Sequence, residues 1–172
     1  VLTFASAPDY ETKTSYTATV TASDGTNTTT QNITVNVTNL NDNSPVFTSD
    51  TTFSAAENQT TIGTVTGSDA DGETLSYSIS GTDASSISVN SSSGALIFNS
   101  APDYETKTSY TATVTASDGT NTTTQNITVS VTNLNDNSPV FTSDTTFSAA
   151  ENQTSIGTVT ATDGDVSDTV TF

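Results

Sequence analysis

Apolar and polar residues alternate over short stretches of this chain. The alternation is clearest at residues 75–79, 110–116 and 127–131, where Thr and Ser fill the positions between the apolar residues. Because successive side chains of a strand point to opposite faces, each run would place an apolar row on one face and hydroxyl groups on the other. No stretch has the 3.6-residue period of an amphipathic helix, so the pattern predicts an all-β chain.

Further β-rich runs lie at residues 46–54, 60–67, 86–90 and 95–99, with turn residues between them. Together with the alternating runs they make about seven strands, a number typical of a β-sandwich. Asp118-Gly119 lies between two alternating runs and predicts a tight hairpin turn, as does the Asp-Gly pair at residues 24–25.

A long internal repeat runs through the chain. The segment SAPDYETKTSYTATVTASDGTNTTTQNITV begins at Ser6 and again at Ser100 without a substitution, which gives a period of 94 residues. The decapeptide TNLNDNSPVF occurs at Thr38 and Thr132 with the same period. Repetition at a fixed period is the signature of tandem domains.

The Asn-Ser-Pro segments provide natural boundaries between the repeats. They divide the chain into the C-terminal part of one repeat at residues 1–44, a complete repeat at 45–138, and the N-terminal part of the next at 139–172. We expect the two end pieces to be incomplete domains, which are either cut from a longer array or completed by packing against a neighbouring copy.

The charge of the chain limits its possible chemistry. Nineteen acids face two bases, Lys13 and Lys107, and the net charge is −17. This charge repels nucleic acid and favours cations. Cys and His are absent, which excludes disulfides, thiolate chemistry, typical zinc sites and an imidazole base, so that oxygen atoms are the available metal ligands. No apolar run approaches 18 residues, so we expect no direct membrane insertion.

Five separated motifs resemble the cadherin repeat. They are AENQ at 56–59, DAD at 69–71, PDYE at 102–105, ASDG at 116–119 and NLNDNSP at 133–139. The nearly identical, Thr- and Asn-rich copies look most like the cadherin-like extender repeats of giant bacterial surface adhesins. The resemblance implies a seven-stranded Greek-key (cadherin/immunoglobulin-like) β-sandwich, repeated in tandem, with Ca²⁺ bound between successive domains.

The resemblance also assigns calcium ligands residue by residue. At the junction after residue 138 it implies Glu57, Asp103, Glu105, Asn135 and Asp136, the backbone oxygens of Leu134 and Asn137, and Asp163 and Asp165 of the following unit. At the earlier junction it implies Asp9, Glu11, Leu40, Asn41, Asp42, Asn43, Asp69, Asp71 and Asp118. Two departures from the family pattern are Asn at positions 39 and 133, where the family usually has Asp, and a short segment after DAD that lacks the usual later Asn. Glu73 is a possible substitute there.

The residue types agree with this assignment. Calcium takes six to eight hard oxygen ligands, and an extended backbone places carboxylates at i and i+2 on one side. In an extended linker, Asn135 and Asn137 would face one flank and Asp136 the other. Asp, Asn and Gly also mark ordinary turns, which is the alternative interpretation of each single position.

The sequence therefore predicts a calcium-rigidified extracellular spacer of a long surface adhesin or fibre. Extracellular calcium modules bind with dissociation constants of about 10⁻⁴ to 10⁻³ M, too weak for cytosolic calcium. The partners expected are adjacent repeats and, at the ends, head-to-tail copies. A directly adhesive module, homophilic or glycan-binding, and a fibre subunit completed between chains remain alternatives. An enzyme is not expected, since His and a Gly-x-Ser-x-Gly motif are missing.

Overall fold

The protein is described by a computed structural model covering residues 1–165 and 168–172. This part of the chain contains β-strands and turns and no helix. The strands are β1 (Ser15–Ser23), β2 (Thr28–Asn36), β3 (Val46–Phe47), β4 (Thr52–Ala56), β5 (Thr61–Thr64), β6 (Gly67–Ser68), β7 (Ser76–Ser80), β8 (Ile87–Val89), β9 (Ala95–Phe98), β10 (Ser109–Ser117), β11 (Thr122–Thr132), β12 (Val140–Phe141) and β13 (Ala161–Thr162).

Residues 45–138, called the central unit below, form a β-sandwich. One sheet has four strands in the order β4-β11-β10-β7, and the other has three in the order β5-β9-β8. These make up the seven strands predicted from the sequence. β4 joins β11 in parallel, from Thr52 beside Thr128 to Ala56 beside Thr132, whereas the other pairings are antiparallel.

Two of the predicted runs are divided between sheets. The run at 46–54 becomes β3 and β4, and the run at 60–67 becomes β5 and β6. β3 pairs with β6 in a short ribbon, while β4 and β5 join different sheets of the sandwich. Continuous β-propensity therefore marked the segments correctly but did not reveal where the chain changes sheets.

The core lies between the two sheets. Val114, Ile127 and Val129 of the four-stranded sheet and Ile87 and Leu96 of the other are almost completely buried. Each such side chain contributes about 1.5 to 3 kcal/mol through burial. The outward positions of β10 and β11 carry mainly Thr, Ser and Asn, so the alternation read from the sequence is the alternation between core and solvent.

The hairpin predicted at Asp118-Gly119 is present, but its loop has four residues. Ser117 pairs with Thr122, and Gly119 adopts a φ of +97°, a conformation that glycine tolerates best. The Asp118 carboxylate accepts hydrogen bonds from the backbone N–H groups of Thr120 and Asn121, each 2.6 Å long. The side chain thus stabilises the longer loop.

The N-terminal hairpin shows the same strand pairing with much less burial. β1 and β2 pair in the register of β10 and β11, with Ser15 opposite Asn36. Val20 is 44% exposed, whereas the equivalent Val114 of the central unit is 0% exposed. The local sequence is therefore sufficient for the hairpin, and burial depends on a second sheet.

Asp83 ties the loop after β7 to β10. The residue is 9% exposed, and its carboxylate forms a salt bridge with Lys107 and accepts a 2.8 Å hydrogen bond from the Thr111 N–H. The Lys107 ammonium group also lies 4.5 Å from the centre of the Tyr110 ring. The hydrogen bond from Lys107, followed by that from Thr111, lowers the pKa of Asp83 below its ordinary value of 3.8.

Replacing Asp83 with Asn is expected to reduce the free energy of unfolding by about 1 to 2 kcal/mol at pH 7. Because the folded-state pKa is the lower one, this contribution is present above the unfolded-state pKa near 3.8 and disappears as pH falls through the folded-state value. Urea unfolding in chelator at a series of pH values measures the difference between the two proteins. D50N, at an exposed position, is the control, and a difference that did not shrink in acid would contradict the prediction.

Candidate metal centre

Carboxylates form a row across the junction between the central unit and residues 139–172. The row consists of three clusters, in each of which the carboxylate oxygens lie within 4.8 Å of one another: Glu57, Asp103 and Glu105; Glu105, Asp136 and Asp165; Asp163, Asp165 and Asp168. Glu105 and Asp165 each belong to two clusters. The row therefore begins in the central unit, includes the linker and ends in the following unit.

The earlier junction repeats the same arrangement in part. Its two clusters are Glu11, Asp42 and Asp71, and Asp69, Asp71 and Glu73. Asp71 is shared, as Asp165 is at the later junction. Glu11, Asp42 and Asp71 occupy the positions of Glu105, Asp136 and Asp165 in the repeat.

Glu57 fixes one end of the row. It follows the last residue of β4 and is only 1% exposed. Its carboxylate accepts hydrogen bonds from the backbone N–H of Leu134, at 2.7 Å, and of Tyr104, at 2.8 Å. One buried acid thus joins the end of β4, the turn after Pro102 and the linker.

A turn, and not the extended backbone expected from the sequence, brings Asp103 and Glu105 together. Asp103 accepts hydrogen bonds from the N–H and the hydroxyl group of Thr106, at 3.1 and 2.8 Å, and the hydroxyl bond is the main reason that its pKa is lowered. Asp9 makes the same contacts with Thr12. Asp69 similarly accepts the N–H of Asp71 at 2.9 Å.

The linker asparagines reach into the clusters. The Asn137 Nδ2 group donates to Glu105, Asp136 and Asp165 at 3.3, 3.1 and 3.1 Å, and its backbone N–H donates to Asp165 at 2.8 Å. Asn43 makes the equivalent bonds to Asp42 and Asp71. Asp136 and Asn137 therefore meet at one cluster, and the expectation that they face opposite flanks is wrong. The linker between Thr132 and Val140 is not a regular strand, so its side chains do not have to alternate between two sides.

The NH₂ end of a neutral amide, which carries a partial positive charge, thus lies where three carboxylates converge. The oxygen and nitrogen of an asparagine amide exchange places by a half turn of the side chain. After that turn the Asn137 carbonyl oxygen would point into the same cluster. The geometry therefore suits a cation held by carboxylate and amide oxygens.

The charges of the clusters are poorly compensated by protein groups. Loss of hydration raises the pKa of Glu105, and the negative charges of Glu57, Asp165 and Asp103 raise it further. Loss of hydration also raises the pKa of Glu73, with Asp71 and Asp69 contributing repulsion. Within residues 1–165 and 168–172 the salt bridge found joins Lys107 to Asp83, outside the clusters.

In the cluster of Asp69, Asp71 and Glu73, two carboxylate oxygens also have no hydrogen-bond donor. Asp69 Oδ2 and Glu73 Oε2 are buried and have no hydrogen-bond partner. Buried polar atoms in this state are costly unless a ligand satisfies them. Hard oxygen donors in irregular arrangements are the ligands that calcium prefers, so the residues present fit Ca²⁺.

Two of the predicted carboxylate ligands, Asp9 and Asp118, lie outside the carboxylate clusters of the described residues. Leu40, Asn41, Leu134 and Asn135 have no carboxylate, so a cluster of acids does not test them. Asp118 binds its own hairpin loop, and Leu134 contributes its N–H to Glu57. Their roles as ligands stay predictions.

Sequence reasoning missed two asparagines that hold the junctions. The Asn121 side-chain amide donates to Asn41 Oδ1 at 3.1 Å and to the Asn43 carbonyl at 2.7 Å, so it connects the β10–β11 loop to the earlier linker. The Asn58 amide donates to Asp136. Asn58 has a φ of +60°, which Asn tolerates better than most residues. The available signal was that Asn58 follows Glu57 within the AENQ motif and that Asn121 comes three residues after Asp118.

Comparison with known proteins connects this geometry to a family. Residues 51–132 match the family described as Cadherin domain. Protocadherin Fat 1 of Homo sapiens is 41% identical over 150 residues, which cover 77% of this chain and 3% of that protein. Protocadherin-like wing polarity protein stan of Drosophila melanogaster is 31% identical over 158 residues, which cover 82% of this chain and 4% of that protein.

Solved structures agree with the fold. A protocadherin gammaB7 EC3-6 cis-dimer structure has a TM-score of 0.79 and 30% identity, and the match covers 93% of this chain and 45% of that one. A mouse cadherin-23 EC22-24 structure has a TM-score of 0.68 and 28% identity, over 92% of this chain and 56% of that one. The chain thus spans about half of these solved chains and a small part of the curated relatives.

The described part of the chain contains no helix long and apolar enough to cross a membrane. The sandwich, the ordered motifs and the similar proteins lead to one assignment. The central unit of this chain is an extracellular cadherin-like repeat.

Proposed function

We propose that this chain is a spacer of a long extracellular adhesion protein, and that its junctions become rigid when they bind calcium. The observation that carries this proposal is the row of three carboxylate clusters linked by Glu105 and Asp165. Because the row takes ligands from two units and from the linker, cations bound along it would cross-link the units.

The acids have different roles in this proposed calcium site. Glu57 holds the base of the row through the backbone of Tyr104 and Leu134. Glu105 and Asp165 come from opposite sides of the junction and meet at Asp136 in the linker. Bound calcium supplies the positive charge that these acids lack. Without it their mutual repulsion favours a bent or mobile junction.

The site chemistry agrees with an extracellular location. Calcium sites of extracellular modules fill at about 10⁻⁴ to 10⁻³ M, a range reached outside cells. The relatives matched above are animal cadherins, so the context of a giant bacterial adhesin rests on the near-identical, Thr- and Asn-rich copies alone. A long spacer is the role shared by both contexts.

Small-angle X-ray scattering tests the proposed function. With millimolar calcium the maximum dimension of the chain is expected to increase and its distribution of distances to sharpen, compared with chelator. Magnesium, which requires a smaller octahedral site, is expected to have a weaker effect. Equal dimensions with calcium and with chelator would refute a calcium-stiffened spacer.

A second candidate is the assembly of copies head to tail. It is favoured by the exposed apolar residues of the two end segments, including Val20, Phe147 and Ile156. Light scattering across a concentration series gives the molar mass, and a constant monomer mass would eliminate this candidate.

A further inference from the structure

The two copies of the repeat differ most in the segment that follows Asp69 and Asp71 in one copy and Asp163 and Asp165 in the other. The copies read TGSDADGETLSY at residues 66–77 and TATDGDVSDTVTF at residues 160–172. The second is longer by one residue. A third acid nevertheless precedes Thr and an apolar residue in both, as Glu73 before Thr74 in one and Asp168 before Thr169 in the other.

Both acids join the same type of cluster. Glu73 lies within 4.8 Å of Asp69 and Asp71, measured between carboxylate oxygens, and Asp168 lies equally close to Asp163 and Asp165. The shorter Asp side chain follows the longer spacer, and the longer Glu side chain follows the shorter one. The different side-chain lengths thus compensate for the inserted residue.

The contacts within the first of these clusters leave specific atoms available. Asp71 accepts the N–H groups of Asp42 and Asn43 at 3.1 and 2.8 Å, and Asp69 Oδ1 accepts the N–H of Asp71. Asp69 Oδ2 and Glu73 Oε2 are buried and have no donor. A cation would compensate these two solvent-excluded anionic oxygens beside a third carboxylate.

We propose that Glu73 and Asp168 are direct ligands of the outermost cation at their respective junctions. In this role they replace the later Asn that the short segment after DAD lacks. The inference rests on the proposed calcium function and adds to it a ligand that none of the five sequence motifs contains. It also predicts that both junctions keep a third ion, although their sequences differ here.

Glu73→Gln tests this assignment by calcium titration calorimetry on the whole chain. We expect it to lose one bound ion, or to weaken that ion by at least about tenfold, because calcium affinity follows the charge of the ligands. Glu73→Asp should retain more of the affinity than Glu73→Gln. Asp50→Asn, at an exposed position outside the clusters, should bind like the unmodified chain.

Thermal melting in chelator separates a ligand from a structural residue. Without calcium, Glu73→Gln is expected to melt at or above the temperature of the unmodified chain, because a dehydrated and repelled charge is gone. A lower melting temperature would assign Glu73 a structural role and overturn the inference. Unchanged calcium binding by Glu73→Gln would overturn it too, while the proposed function would stand. If the unmodified chain bound no calcium, the proposed function itself would fail.

Discussion

Removal of calcium is expected to lower the melting temperature of the central unit by roughly 15 to 30 °C. A ligand at tenfold excess over its dissociation constant adds about 1.4 kcal/mol per independent site. The later junction has three clusters, so filling them would contribute about 4 kcal/mol. This is comparable with the whole stability margin of a small domain.

Calorimetry or circular dichroism in millimolar calcium and in chelator measures this shift. Magnesium at equal concentration is the control for ionic strength and for divalent charge, and its effect is expected to be smaller. A shift of only a degree or two would mean that the clusters are not filled by calcium at extracellular concentrations. In that case the spacer function would lose its physical basis.

Replacing Glu57 with Gln is expected to lower the free energy of unfolding by about 2 to 4 kcal/mol, even in chelator. The carboxylate accepts two backbone N–H groups at 2.7 and 2.8 Å inside the protein. A Gln side chain has one acceptor oxygen and brings an NH₂ group against the other donor. Relief of repulsion with Asp103 and Glu105 offsets only part of this loss, because those acids are exposed to solvent.

The repeat provides a matched control for this substitution. Glu151 lies in the same AENQT sequence but is exposed to solvent. Glu151→Gln should therefore change the free energy of unfolding by less than about 0.5 kcal/mol. Urea unfolding of both variants compares the loss of unfolding free energy at a buried and at an exposed glutamate that have the same neighbours in sequence. Equal effects would mean that the contacts of Glu57 do not stabilise the sandwich.

The strands were predictable because burial follows the alternation of residues so closely. Ala112, Val114 and Ala116 face the core, and the Thr residues between them face outward. The identical segment of β1 forms the same hairpin with Val20 exposed. Local sequence thus determines pairing, whereas burial depends on distant segments that no local pattern reveals.

The acids of the site were predictable as a set, but their individual geometry was not. Glu57, Glu105 and Asp165 meet their expected neighbours, since the motifs fix which segments approach one another. Asp118, whose role as a ligand stays a prediction, accepts hydrogen bonds from its own loop, and Asn121 donates to the linker. The conformation of the loop decides which of these neighbouring side chains reaches the linker, and residue type alone does not encode that conformation.

The parallel pairing of β4 with β11 has a mechanical consequence. The chain enters the central unit ahead of β4 and leaves it after β11, so tension pulls these two strands in opposite directions along their common axis. The five residue pairs from Thr52–Thr128 to Ala56–Thr132 would then be strained together in shear, and not peeled apart one after another. A stretched array of such units resists rupture until a whole ladder yields at once.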